Sequence, residues 1–310
     1  MTTSPARIDE FRQKISWCEI KQSAGLYHSL LQTCVEEDLG NTSDHPVWRN
    51  DLTTSVCGLH GNGSAQLVAR EPFVLCGVKL ADLLLPVFSC DEVEFLPLLS
   101  DGHFCQAGDL IGTLKGAVPQ ILAIERTLLN FIQRLCGVAT EAASFVSILE
   151  QEGVELLDTR KTTPGLRIFE KFATTCGGSF NHRMGLFDRV LIKDNHLAAA
   201  KVKDKNSLRS FLTDVTHRSS GRLVELELDE LSYLEAAIEG KVDAVLLDNF
   251  SPTEITRAVE INQNRIVIEA SGGINKSNLS VYAKAKPHFI STGAPVHSAQ
   301  WVDIGLDWID

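Results

Sequence analysis

The chain has 310 residues, 44% of them hydrophobic and 22% charged, with a net charge of −11. That size leaves room for one large α/β domain or two smaller ones with ample core, while the negative balance argues against general nucleic-acid binding, which needs a basic surface. The polar start MTTSPARIDEFRQK is no secretory signal, and the most apolar stretch, 73–88, is broken by Lys79 and Asp82 and is too short to span a bilayer. Eight cysteines without C-x-x-C or metal-ligand spacing read as reduced thiols of a cytoplasmic protein, not as a disulfide or zinc framework.

Residues 8–35 carry Ile8, Phe11, Ile15, Leu26, Leu30 and Leu31 at helical spacing, with Gly25 as a break. Residues 36–55 read as a polar, turn-rich loop. Short strands follow to about residue 120, clearest in GSAQLVAR, EVEFLPLL and AGDLIGTLKG. A long helix is expected over 119–150, broken near Gly137. In it Arg126, Asn130 and Arg134 share one face, and Leu128, Leu129, Ile132 and Leu135 the buried side. On spacing alone Arg126 is a surface cation.

From residue 154 apolar runs repeatedly end in a polar residue or glycine: VELLD, RVLIK, LVELEL, DAVLLD, RIVIEASGG and HFISTG. The segments between them, such as SYLEAAIEG and SPTEITRAVEI, read as helices. Short apolar strands alternating with helices mean parallel βα units. At least six units with polar strand ends favour a (β/α) barrel over an open sheet, which would need a G-x-G-x-x-G after its first strand.

Within 158–196 seven Lys/Arg face four acids, a local net charge of +3 inside an acidic chain. Cations gathered against the global sign suggest an anion site. A solvated helix face would account for Arg167 to Lys171 but poorly for Arg160-Lys161, His182-Arg183 and Lys193. Guanidinium groups grip carboxylate or phosphate bidentately, and lysine adds a point charge. In VELEL both Glu225 and Glu227 project to one strand face. Glu227 and Asp248, on adjacent strand ends, suit Mg²⁺ held mainly through substrate phosphates, or else pair with the nearby cations. The loops Ser271–Gly273 and Thr292–Ala294 close late strands before helices, where backbone amides can meet a phosphate. These parts describe a cup for a phosphorylated ligand, a metal and a second anion.

The ordered segments DTRKTTPGLR, GGSFNHRMGL, LIKDNH, VELELDEL, VDAVLLDNFSP, IEASGGI and STGAPVHS, with EEDLG, DLTT and ERTLLNFIQRLCGVAT earlier, closely resemble the nicotinate-nucleotide pyrophosphorylase (carboxylating), or quinolinate phosphoribosyltransferase, family over nearly the whole chain. The resemblance implies an N-terminal α/β sandwich (1–125, joined by the tail 297–310) and an open (β/α) barrel of about seven strands (126–296), a type II phosphoribosyltransferase-like fold. It implies transfer of phosphoribosyl from phosphoribosyl pyrophosphate (PRPP) to quinolinate with decarboxylation, giving nicotinate mononucleotide for NAD biosynthesis, with Mg²⁺. Carried over by motif, Arg160, His182, Arg183, Lys193 and the neighbouring subunit's copy of Arg126 would hold quinolinate, which replaces the surface-cation reading of Arg126 and makes the enzyme a homodimer or a hexamer built from it. Lys161, Ser271, Gly272, Gly273 and Gly293 would hold PRPP phosphates, Glu227 and Asp248 would serve the ribose and Mg²⁺-pyrophosphate, and Lys193, Glu227 and Asp248 would be the catalytic set. The chain departs from the family at APVHS, where Leu-Thr is common, and in an extra DHPVWRN segment; neither touches those residues. A molybdate-associated relative shares the fold, a Schiff-base aldolase would use Lys193 as nucleophile, and a non-catalytic sensor would lack the acids Glu227 and Asp248, both present here.

Overall fold

The computed structural model describes residues 7–40 and 46–309, so residues 41–45 of the expected polar loop, including Asp44 and His45 of the extra segment, lie outside the described residues. The chain divides into two compact units, 15–143 with 163–178 and 298–310, and 1–14 with 144–162 and 179–297. No helix of the described residues is long and apolar enough to cross a membrane.

The first unit is built on a four-stranded antiparallel sheet, ordered Ile304–Ile309, Asn62–Ala69, Leu110–Ala117, Val93–Pro97. The C-terminal strand pairs with Asn62–Ala69 from Ser64 opposite Ile309 to Ala69 opposite Ile304. Residues 8–35 are not one helix. Ile8–Phe11 is a 3₁₀ turn, and two helices, Trp17–Gln22 and Ala24–Leu39, meet at Ser23 rather than at Gly25. Helix also replaces the expected loop at both ends, running to Leu39 and resuming at Leu52–Val56, where Asp51 caps the backbone N–H of Thr53 and Thr54.

The long helix, Val118–Leu149, is continuous through Gly137. That glycine serves a close approach: a Cβ there would lie 3.0 Å from the Gln300 carbonyl carbon and collide with its oxygen. Tertiary contact, rather than helix breaking, explains it. The solvated-face reading of Arg167 to Lys171 is also overturned. In the helix Arg167–Cys176, Glu170 and Lys171 are buried. Glu170 accepts from Arg134 at 3.0 Å and from the Thr163 amide and hydroxyl at 2.8 Å each. A buried carboxylate needs such a set to offset its desolvation.

The second unit carries all six expected parallel strands: β1 Glu155–Leu157, β2 Val190–Ile192, β3 Val224–Leu228, β4 Ala244–Asp248, β5 Val267–Ser271 and β6 Phe289–Ser291. Their order is β1-β6-β5-β4-β3-β2, and Phe180 adds a single parallel bridge to Leu157 on the other side of β1. Strands β2 to β6 thus lie side by side in chain order and the last returns to the first. Right-handed crossovers of that kind put every helix on one face, so the other face must close on itself as a barrel. The barrel is open between Phe180 and β2. Five ladders join the six strands, and the bridge at Phe180 adds a seventh stave.

Alternation along the strands sorts the interior into levels. Leu223, Ala244, Val267 and Phe289 at the strand starts, with Leu157 at the end of β1, form an apolar floor plugged by Ile8 and Phe11. Phe11 stacks on Phe289 with ring centroids 6.0 Å apart. Two residues further along, β3 and β5 place Glu225 and Glu269, both fully buried. Two further still come Glu227, Asp248 and Ser271. Outside, β-strand residues such as Leu226, Leu247 and Ile268 pack with Leu212, Leu234 and Ile255 of the helices into a separate core.

Candidate active site

The rim of the barrel is assembled from strand ends. Asp158, just past β1, is buried and fastens the next segment: its carboxylate accepts from the His182 amide and the Asn181 side chain, both at 2.8 Å. The Asn181 amide in turn bonds the Gln13 carbonyl at 2.8 Å. Asn181, His182 and Arg183 are therefore held at the mouth of the gap beside β1, not displayed on a free loop.

Two guanidinium groups there are short of acceptors. The Nε atoms of Arg160 and Arg183 are buried without a hydrogen-bond partner, although Arg183 Nη1 reaches the Arg189 carbonyl at 3.2 Å. Burial lowers the Arg183 pKa, and the charge of Arg160 lowers it further, with Glu225 only partly countering. A buried cation next to another cation is costly unless an anion binds there. Lys193, at the end of β2, is half-exposed and forms an ion pair with Glu227 across the neighbouring strand end.

Below this rim lies an ionic level in the closed interior. His182 Nε2 is 3.4 Å from Glu225 and 3.5 Å from Glu269, and Arg189 Nη1 is 3.7 Å from Glu225. Arg189 itself lies over the Phe11 ring at 4.5 Å, a cation–π contact that ties this level to the floor. Burial would raise both carboxyls. At Glu225 the charge of Arg189, with the His182 ring beside it, outweighs burial and brings the pKa down to about 2. At Glu269 burial, followed by the Glu225 charge, pushes it well above the usual range. The two close carboxyls are thus driven apart, Glu225 towards its ionised form and Glu269 towards its protonated form.

On the opposite rim, β4 and β5 meet the phosphate-loop candidates. Ser271 pairs with Asp248 across the ladder, and the Asn249 side chain donates to Asp248 at 2.8 Å. Gly272 has φ +91° and Gly273 +63°. A Cβ on Gly272 would sit 2.6 Å from the Asn249 nitrogen, so glycine lets this turn lie against β4. Gly293 plays a similar part: its Cβ would meet the His297 ring at 2.8 Å and the Lys161 Cβ at 3.2 Å. Lys161 thus stands beside the loop after β6. The register Glu227 opposite Leu246 puts Glu227 and Asp248 on one face of adjacent strands, one pleat apart. Two carboxylates so placed fit a Mg²⁺ bound mainly through phosphates.

Residues 138–307 match the family described as "Quinolinate phosphoribosyl transferase, C-terminal domain", and residues 51–136 its N-terminal domain. The chain belongs to the quinolinate phosphoribosyltransferase family. It is 33% identical over 279 residues to the probable nicotinate-nucleotide pyrophosphorylase [carboxylating] of Synechocystis, covering 89% of this chain and 90% of that protein. It is 36% identical over 262 residues to the Mycobacterium leprae enzyme of that name, covering 83% and 90%. The nicotinate-nucleotide pyrophosphorylase structure from Francisella tularensis superposes with a TM-score of 0.82 at 34% identity, covering 96% of this chain and 99% of that one.

For a member of this family, the second unit gathers most of the residues expected at the site: Arg160, Lys161, His182, Arg183, Lys193, Glu227, Asp248, Ser271, Gly272, Gly273 and Gly293. Arg126 belongs to the other unit, exposed on the long helix. Sequence reasoning gave no role to Asp158, Arg189, Glu225 or Glu269. The signal for the glutamates was present, since a charged residue in the middle of an apolar parallel strand must face a partner.

Proposed function

We propose that the protein transfers the phosphoribosyl group of PRPP to quinolinate and releases pyrophosphate and CO₂, giving nicotinate mononucleotide for NAD biosynthesis. The observation that carries this reading is the pair of guanidinium groups, Arg160 and Arg183, whose buried Nε atoms lack an acceptor, on the rim that also carries Lys193. Two fixed forks and an ammonium match a planar dicarboxylate, which would relieve their mutual repulsion. In a homodimer the exposed Arg126 of the neighbouring subunit completes this set. A hexamer would repeat the same dimer. Segment 126–296 then carries the chemistry, and 1–125 with the tail 297–310 completes the subunit.

Lys161 and the turns at Ser271, Gly272, Gly273 and Gly293 hold PRPP by its phosphates, and Glu227 and Asp248 lie along its ribose and pyrophosphate. Mg²⁺, held mainly through PRPP with Glu227 and Asp248 nearby, would supply positive charge to the departing pyrophosphate. Held between the two rims, the pyridine nitrogen faces the anomeric carbon as that carbon loses pyrophosphate and becomes cationic. The ring nitrogen bonds to it and becomes positively charged. The adjacent carboxylate then leaves as CO₂, its electron pair remains at the ring carbon beside the charged nitrogen, and a solvent proton completes the product. Lys193 works here by charge and position, as do Glu227 and Asp248. The eight cysteines, none in a disulfide, agree with a reducing cytoplasm.

The test is product analysis with purified protein. Nicotinate mononucleotide and pyrophosphate should form in equal amounts from quinolinate and PRPP with Mg²⁺. Formation from nicotinate in place of quinolinate, at a similar rate, would contradict the reading, since one carboxylate cannot occupy two forks.

A further inference from the structure

The ring of His182 has no nitrogen directed to the rim. Its Nδ1 accepts the backbone N–H of Arg183 at 2.8 Å. An acceptor Nδ1 leaves the ring proton on Nε2, and Nε2 lies 3.4 and 3.5 Å from Glu225 and Glu269 without a hydrogen bond aligned to either. The backbone amide of the same residue is bound by Asp158 at 2.8 Å. The ring is 93% buried, the two carboxyls entirely so. Charged groups around it come from several barrel segments: Asp158 after β1, Arg183 next in the chain, Arg189 before β2, Glu225 on β3 and Glu269 on β5.

We propose that His182 is a positioning residue: a neutral Nε2–H imidazole, set beside the interior Glu225–Glu269 pair, fixes the Arg183 backbone through its Nδ1 and so aims that guanidinium at the substrate carboxylate. This rests on the diacid reading of the rim and changes the part given to one of its residues. The long-range effect is geometric. Arg183 Nη1 is tied to the Arg189 carbonyl and its amide to His182, so its Nε is the edge left for an anion. The Arg183 amide bound at Nδ1 sets the tautomer of the histidine, and the carboxyls beside Nε2 favour the proton there. The donor spacing of His182, Glu225 and Glu269 would also suit a divalent ion. Arg189, 3.7 Å from Glu225, already supplies the positive charge there and would repel one.

The experiment uses the full-length protein with histidine-selective ¹⁵N labelling and two variants. His182→Asn places an oxygen where Nδ1 stands and keeps the acceptor for Arg183; His182→Gln places its amide towards the Nε2 position and loses it. The proposal expects the His182 signal, assigned by its loss in His182→Asn, to show Nε2–H with bare Nδ1, unchanged by quinolinate. It expects KM for quinolinate to stay within about threefold in His182→Asn and to rise about tenfold in His182→Gln, the equivalent of about 1.4 kcal/mol. KM for PRPP should move little in either. Conversion of His182 to imidazolium on adding quinolinate would overturn the proposal. So would the reverse ranking of the two variants, or a stoichiometric metal in the purified protein that is lost in Glu269→Gln. If the wild-type protein shows no quinolinate-dependent turnover, the diacid reading fails instead, whatever the tautomer.

Discussion

Replacing Gly272 by alanine separates phosphate-loop geometry from simple fold stability, because its neighbour Gly273 is a built-in control. Gly272 has φ +91°, and a Cβ there would lie 2.6 Å from the Asn249 nitrogen and 2.7 Å from its Cγ. The nitrogen is backbone and bonds the Ser271 carbonyl at 2.9 Å, so it cannot swing aside as a side chain would. A non-glycine residue in such a conformation costs about 1–3 kcal/mol, before the contact is counted. Gly273 has φ +63° and nothing within 4 Å of its Cβ, so alanine there meets only a left-handed penalty of about 1–2 kcal/mol. If the turn binds the PRPP phosphate, Gly272→Ala should raise KM for PRPP by about 10- to 100-fold, at about 1.4 kcal/mol per tenfold. Gly273→Ala should raise it by about tenfold or less. Neither should change KM for quinolinate much. The assay is initial-rate kinetics with each substrate varied, beside a melting curve. A Gly272→Ala enzyme with wild-type melting and unchanged KM for PRPP would refute the assignment, as would Gly273→Ala proving the more damaging.

Three further outcomes follow from the geometry. Arg126→Ala and Lys193→Ala should each be nearly inactive, yet equal mixtures refolded together should recover about a quarter of wild-type activity, since half the dimers then hold one intact site; no recovery would remove the shared site. Glu170→Ala leaves Arg134 and Thr163 without their buried acceptor and should cost about 3–5 kcal/mol in denaturant unfolding, whereas a change under about 1 kcal/mol would show that the network is dispensable. His288 is pushed below its usual 6.5, first by burial, while its Nδ1 accepts the Ile268 amide at 2.9 Å. The unfolded chain then binds a proton that the folded chain refuses, so stability is full above pH 6.5 and falls as pH drops through the lowered value. His288→Asn should flatten that acid limb in urea titrations, and an unchanged slope would count against it.

Most of the barrel was legible because parallel strands are buried on both faces and leave uninterrupted apolar runs with polar ends. VELLD, DAVLLD and RIVIEASGG announce their strands and their rim residues in one stroke. What the sequence hid were effects that need a distant partner. Gly137 reads as a break until Gln300 is seen against it, and Lys171 reads as solvated until its helix is seen packed on both sides. Ile8 and Phe11 have helical spacing but act as the barrel's plug, a role that depends on Phe289 almost 280 residues on. Glu225 was legible as inward-facing, but its partners, Arg189, His182 and Glu269, come from three other segments. Local pattern gives direction; only the fold gives company.

The most direct measurement is release of labelled CO₂ from quinolinate carrying the label in the carboxylate beside the ring nitrogen. The expected result is one CO₂ per pyrophosphate, dependent on both PRPP and Mg²⁺. Folded protein that releases pyrophosphate without CO₂, or neither product, would contradict the assignment of this site.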